Sequence, residues 1–262
     1  MIRGLYTAAT GMNSMQHQID VTSNNIANVN TTGFKQDRAE FQDLMYETLN
    51  YTAGQTSQTS INPTGIDVGL GVRISGIQKN FSEGDLKLTS NPLDLAIQGK
   101  GFFQITLPSG ETAYSRNGAF KLNAEGSIVN ASGYSLSPEI VVPDNVTNLA
   151  VAKDGTVTAK DPQTGTIVDL GQITVADFVN PAGLTPLGES LYMKNDASGD
   201  VLEGNLNEEQ FGSIQQGMIE LSNVKLVNEM VDLITAQRAY EANSKAITTT
   251  DSMLDTVNRL KN

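Results

Sequence analysis

The run Leu226-Val227-Asn228-Glu229-Met230-Val231-Asp232-Leu233-Ile234-Thr235-Ala236-Gln237-Arg238-Ala239-Tyr240-Glu241-Ala242-Asn243-Ser244-Lys245-Ala246-Ile247 decides the fold. It lies in a stretch, Met218 to Asn262, that contains neither Gly nor Pro. Leu226, Met230, Leu233, Gln237, Tyr240, Ser244, Ile247, Asp251 and Leu254 recur at alternating spacings of four and three. That is the heptad stripe of a helix packed along one seam. Val227, Ile234 and Val257 widen the stripe, and Ser222 or Asn223 offers a cap at its start. From there to the C-terminus such a helix is about 50 Å long at ~1.5 Å per residue.

The other end of the chain repeats the pattern. Ile2, Leu5, Ala9, Met12, Gln16, Ile19, Ser23 and Ile26 are spaced by three and four. Gly33, in Asn30-Thr31-Thr32-Gly33, is the expected stop, since a left-handed residue suits a helix C-terminus. Two long helices at opposite chain ends can meet as an antiparallel pair. Yet Gln16 and Ser23 in one stripe, and Gln237, Ser244 and Asp251 in the other, put polar groups at core positions. A pair this polar is marginal alone and needs further neighbours. With no third long helix in the chain, those neighbours are most simply other copies of it.

The middle is a different material. Short apolar runs recur at 94–97, 101–105, 119–122, 127–129, 140–142 and 166–170. Turn signals separate them: Pro108-Ser109-Gly110, Arg116-Asn117-Gly118, Ala131-Ser132-Gly133, Pro143-Asp144-Asn145 and Asp154-Gly155. This reads as a domain of many short strands. Residues 48–66 carry no charge and are rich in Thr, Ser, Asn, Gln and Gly. Alone, such a segment buries too little apolar surface to order itself, but it can pair as extended strands against neighbours. The fold class is therefore α+β: a terminal antiparallel coiled-coil stalk (1–33 and 222–262), an extended β connector (34–70) and an all-β domain (71–221).

Composition narrows the function. The 262 residues carry a net charge of −12, which repels nucleic acid and anionic membrane surfaces. There is no cysteine and one histidine, His17, so thiolate metal sites, Cys nucleophiles and multi-His sites are excluded, and no cofactor is expected. No stretch approaches the roughly 18 apolar residues of a membrane span. The start, Met1-Ile2-Arg3-Gly4-Leu5-Tyr6-Thr7-Ala8, does not read as a cleaved secretory signal. Gly69-Leu70-Gly71 and Gly99-Lys100-Gly101 read as turns, and Asp94, Glu111 and Glu125 as solvated turn carboxylates rather than an acid/base pair. Arg238 and Glu241 read as a helix-face pair.

The densest local signal is Ser23-Asn24-Asn25-Ile26-Ala27-Asn28-Val29-Asn30-Thr31-Thr32-Gly33-Phe34-Lys35. Four Asn in seven positions are poor helix formers, but carboxamides both donate and accept without burying charge. They suit either a frayed, capped helix end or stacked copies. This motif resembles the N-terminal signature of bacterial flagellar rod and hook proteins. Ala236–Ile247, followed by Thr249-Thr250-Asp251-Ser252-Met253-Leu254, resembles that family's C-terminal segment. The runs 94–103 and 114–120 resemble its shared β-domain. Chain length, the start at residues 2–12 and the uncharged 48–66 segment resemble the distal-rod branch, with proximal rod proteins the nearest relatives.

The resemblance implies a structural subunit, not an enzyme. It would stack helically into a rigid hollow tube that crosses the periplasm and transmits torque from motor to hook. The terminal helices would line the bore, with the β-domain outside. Implied partners are other copies, proximal rod proteins and hook protein at the ends, the surrounding P- and L-ring proteins and the flagellar type III export apparatus, with export needing no cleaved signal peptide. Residues expected to face other subunits are Leu5, Met12, Ile19, Asn24, Asn25, Asn28 and Phe34, with Met230, Leu233, Gln237, Tyr240, Asn243, Ser244, Ile247 and Leu254. A rival reading, a glycan-binding or glycan-cleaving β-domain on a stalk, would need an aromatic binding face; the chain has no Trp, and only 6% of it is aromatic.

Overall fold

The computed structural model of the protein describes residues 2–50, 55–57, 60–61, 65–143, 146–162, 165–207 and 211–260. The chain divides into two compact units. One comprises Met1–Ala27, Asp37–Gln78 and Lys225–Asn262; the other comprises Asn28–Gln36 and Lys79–Val224.

The first unit holds the two long helices that the stripes predict, α1 (Ile2–Ala27) and α2 (Leu226–Leu260). α1 ends at Ala27, six residues before the expected stop at Gly33. Just past its end Asn28 Oδ1 accepts from Thr31 Oγ1, a local side-chain bond of the kind that competes with continued helix. Gly33 is left-handed, with φ +67, but its need is a close approach within the second unit. A Cβ there would lie 2.6 Å from the amide N of Asn117. The expected caps of α2 are also used differently. Asn223 accepts from the Gln36 amide at 2.8 Å and donates to the Asn80 carbonyl at 2.8 Å, both inside the second unit.

From Asp37 on, the stretch expected to be a connector pairs partly with itself and partly with a strand expected in the β-domain. Asp37–Asp43 pairs with Val72–Lys79, and Tyr46–Asn50 pairs with Ile66–Gly69 in antiparallel register, Tyr46 opposite Gly69. Gln55–Ser57 pairs with Ser60–Ile61. The rest of the uncharged 48–66 segment, at 51–54, 58–59 and 62–64, lies outside the described residues. Met45, Tyr46, Leu49 and Ile66 along this ribbon are exposed.

The second unit is built on nine described strands in one sheet. Phe102–Thr106 lies at its centre, between Ser135–Ser137 and Thr112–Ser115, and also pairs at its start with Thr174–Phe178. Successive strand residues point to opposite faces, so Phe102 and Phe103 enter different clusters. Phe103 joins Leu95, Ile97, Phe120, Ile128 and Val175; Phe102 joins Tyr114, Phe178, Leu184 and Tyr192. Edge-on ring contacts recur on both faces, Phe103 to Phe120 at 5.1 Å and Tyr114 to Phe178 at 4.8 Å.

Two expectations change. Ile140 and Val142 are buried, but the 140–142 run forms only an isolated bridge, Val141 opposite Ser127. Of the turn expected at Pro143-Asp144-Asn145, Asp144 and Asn145 lie outside the described residues. Asp94 is 9% exposed rather than solvated, and accepts from Thr89 Oγ1 at 2.6 Å and Asn91 Nδ2 at 2.9 Å. Glu111 and Glu125 are exposed, as expected.

A buried charge cluster ties residues 28–36 into this unit. Lys35 Nζ donates to Glu220 Oε1 at 2.6 Å and to the Ser82 carbonyl at 2.7 Å, with both charged side chains fully buried. The Gly84 amide donates to the same Oε1 at 2.9 Å. Arg116 Nη1 lies 3.5 Å from Glu220 Oε2, and its Nη2 donates to the Gly99 carbonyl at 2.7 Å. Burial holds the Lys35 ammonium below the usual lysine value, and the Glu220 carboxylate offsets only part of that shift. One carboxylate thus serves two cations, and removing it strands both. Glu220→Gln is expected to cost about 3–5 kcal/mol in chemical denaturation, the range for breaking a buried pair. Adding Lys35→Met to Glu220→Gln should recover part of that loss; an additive double variant would show that the two groups are not coupled.

Candidate assembly site

In the first unit the two helices run in opposite senses. Asn25 in α1 meets Glu229 in α2, its Nδ2 donating to Glu229 Oε2 at 3.1 Å. Gly11 in α1 meets Asn243 in α2, where a Cβ on Gly11 would lie 2.8 Å from Asn243 Nδ2. Moving back along α1 between these contacts moves forward along α2 by the same two heptads. The carboxamide of Asn25 also holds the backbone of Asp37 at both ends: Nδ2 donates to its carbonyl at 2.8 Å, and Oδ1 accepts from its amide at 2.8 Å. Asn25 is 1% exposed and Glu229 3% exposed.

The contact face lies one residue away from much of the expected stripe. On α1 the inward residues are Ala8, Gly11, Ser14, Gln18, Val21, Thr22 and Asn25. Ala9, Gln16 and Ser23, expected inside, are exposed, while Leu5, Met12, Ile19 and Ile26 are half-buried on its flank. On α2 the column Leu233, Ile247 and Leu254 is half-buried as expected, but Glu229, Ala236 and Thr250 replace Met230, Gln237 and Asp251 as its companion, and Asn243 is half-buried alongside Ser244. One residue is about 100° of rotation, which changes the face wholly. The reason is packing: Gly11 and Ala236 let the backbones approach, and Asn25 and Glu229 satisfy one another, where larger side chains would hold the helices apart.

The displaced apolar residues are left uncovered. Leu226, Val227, Met230, Val231 and Ile234 are all exposed, between 43% and 74%. At ~3.6 residues per turn they span about 140° of the helix, with Val227, Val231 and Ile234 opposite Glu229 and Ala236 and Leu226 at the margin. Each such side chain is worth about 1.5–3 kcal/mol when fully buried. The exposed Arg238–Glu241 pair on the same helix, at 3.2 Å, is worth only a few tenths, as an ordinary surface pair at this spacing.

The other expected interface residues are spread over both units. In the first, Gln237 and Tyr240 are exposed, Asn243 and Ser244 are half-buried, and Asn24 donates to Asp37 Oδ2 at 3.2 Å. Asn28 and Phe34 belong to the second unit. There Asn28 Oδ1 accepts from Thr31 Oγ1 at 3.1 Å, and Lys79 Nζ lies 5.3 Å above the Phe34 ring. Both border a cleft of about 490 Å³ shared with Asn117, Asn130, Glu189 and Tyr192. Sequence reasoning missed Glu229 and Glu220. Glu220 has no acidic neighbour close in sequence and Glu229 has Asp232 one turn on, and nothing local marks either as buried. Arg116 and Lys35 stood inside recognised motifs without an assigned role.

Comparisons with known proteins agree along the chain. A family model described as Flagella basal body rod protein matches residues 5–35. One described as Flagellar hook protein FlgE/F/G D1 domain matches 96–159, and one described as Flagellar basal body rod FlgEFG protein C-terminal matches 215–260. A flagellar basal-body rod protein FlgG of Caulobacter vibrioides is 46% identical over 99% of this chain and 100% of its own. The FlgG of Borreliella burgdorferi is 41% identical over 100% and 99%. The flagellar hook-basal body complex protein FlhP of Bacillus subtilis is 30% identical over 100% of both. Among solved structures, the Helicobacter pylori flagellar hook protein FlgE2 matches 71% of this chain and 43% of its own, at 13% identity and a TM-score of 0.24, too low to bear on the fold.

The tightness at Gly11 is testable. Gly11→Ala should stay within about 1 kcal/mol of the parent, since helix propensity gained offsets a small displacement of the Asn243 amide. Gly11→Leu should cost about 1–3 kcal/mol by overpacking, read as earlier thermal loss of helical circular dichroism. Equal melting of the two variants would mean that the seam is not close-packed at this point.

Proposed function

The chain belongs to the flagellar basal-body rod protein family, and on that premise we propose that it polymerises through its terminal helices into the rigid, hollow distal rod. The family is structural rather than enzymatic. α1 and α2 act as an antiparallel coiled-coil stalk along the bore, and 71–221 forms the outer wall. The tube spans the periplasm and carries torque from motor to hook. Its partners are further copies, proximal rod proteins and hook protein at its ends, the P- and L-rings around it, and the export apparatus that delivers it without cleavage of a signal peptide.

The observation that carries this reading is the apolar face of α2 formed by Leu226, Val227, Met230, Val231 and Ile234. A contiguous helical face of this kind favours burial, and its own chain covers the other side of the helix. Leu5, Met12 and Ile19 flank the seam on α1 and extend the surface offered to neighbours. Asn25 acts beneath that surface, as it is spent within the subunit.

Val231→Asp combined with Ile234→Asp alters exposed positions, so monomer stability should change by no more than about 0.5 kcal/mol per site. Sedimentation and electron microscopy of concentrated protein should then show tubes from the parent and none from the variant. Tubes of unchanged yield from the variant would refute the role of this face. Ordering of the chain ends on assembly should raise helical circular dichroism between dilute and polymerised protein; equal content in both states would contradict it. Deleting residues 48–66 should leave polymerisation possible but bend or loosen the tube, and straight tubes from that deletion would remove the connector from the account of rigidity.

A further inference from the structure

We propose that the polar column of the α1–α2 seam sets the register of the two helices, with Glu229 as the residue that specifies it. This deepens the assembly reading, because register decides where along the pair the apolar face of α2 is displayed.

The seam combines two kinds of column. One, on α2, is Leu233, Ile247 and Leu254, spaced by whole heptads. Apolar contact is non-directional, so sliding the helices by one heptad, about 10 Å, would present equivalent side chains again. The other column is polar or small: Gly11, Gln18 and Asn25 on α1, and Glu229, Ala236 and Asn243 on α2. Sliding changes everything here. In one direction Asn25 comes level with Ala236, and the Glu229 carboxylate passes beyond the end of α1 at Ala27. In the other direction Glu229 comes level with Gln18, whose Nε2 already donates to Thr22 Oγ1 at 3.3 Å. Asn25 cannot follow Glu229 in either case, because both ends of its carboxamide are held by the Asp37 backbone. A buried polar pair inside a helical seam is a known way to select one register at some cost in stability.

The chain has no cysteine, so introduced pairs report the register without background. Gln18→Cys with Ala236→Cys lies level in the observed register. Gln18→Cys with Asn243→Cys lies level only after a one-heptad slip. Full-length protein at tube-forming concentration is oxidised, dissociated in denaturant, and scored for intramolecular cross-links. In the parent the first pair should cross-link at least ~10-fold faster than the second, given the distance limit on disulfides. Glu229→Leu should raise the second rate several-fold while keeping helical circular dichroism, and Glu229→Gln, which keeps an acceptor for Asn25, should restore the parent ratio. An unchanged ratio in Glu229→Leu overturns the proposal, as does failure of the level pair to cross-link in the parent. If Glu229→Leu loses its helical signal, the carboxylate is a stability element and the proposal also fails. Correct cross-linking ratios without tubes would instead count against the assembly reading and leave the register assignment standing.

Discussion

The first unit depends on the carboxamide of Asn25. It closes two hydrogen bonds on the backbone of Asp37 and a third on Glu229, joining α1, the strand that follows it and the start of α2 at one buried point. Because the group is planar and used at both ends, it leaves little freedom for rotation of either helix. With Asn25 and Glu229 inward, Met230, Val231 and Ile234 must turn outward by helical geometry alone. The exposed apolar face is therefore a consequence of how the polar seam is satisfied. It is not a defect of packing.

The second unit solves the same difficulty with charge. Residues 28–36 reach it with no regular secondary structure to anchor them, and Lys35 enters its interior. A buried ammonium is tolerable only where every donor is met. Glu220 and the Ser82 carbonyl accept from it, and the Glu220 carboxylate also offsets the Arg116 guanidinium, whose charge disfavours a second cation nearby. Around it the ring contacts of Phe102, Phe103 and Tyr114 provide the non-directional part of the stability. The division of labour is similar in both units: apolar surface supplies the energy, and a small buried polar group decides which arrangement is adopted.

This division suits a subunit that must build a stiff polymer from weakly charged surfaces. A seam of Gly11, Ala236, Asn243 and Asn25 holds the two helices close without consuming their larger side chains. Those side chains stay exposed, and full burial of each would be worth more than the surface ion pair on the same helix. Membership of the flagellar rod family is supported along the whole chain length.

The heptad spacing of α2, the matching spacing of α1, the short strands between them and the family motifs were all legible in the sequence. Such features depend on neighbours within one segment, through helical period, turn chemistry and composition. Tertiary structure alone decided which column each helix turns toward the other, that α1 stops at Ala27, and that Asp94, Glu220 and Glu229 are buried. The physical reason is distance along the chain. Asn25 and Glu229 are 204 residues apart, and Lys35 and Glu220 are 185 apart. A local period sets how apolar residues repeat, but only the partner brought from far away determines which side of the repeat is the inside.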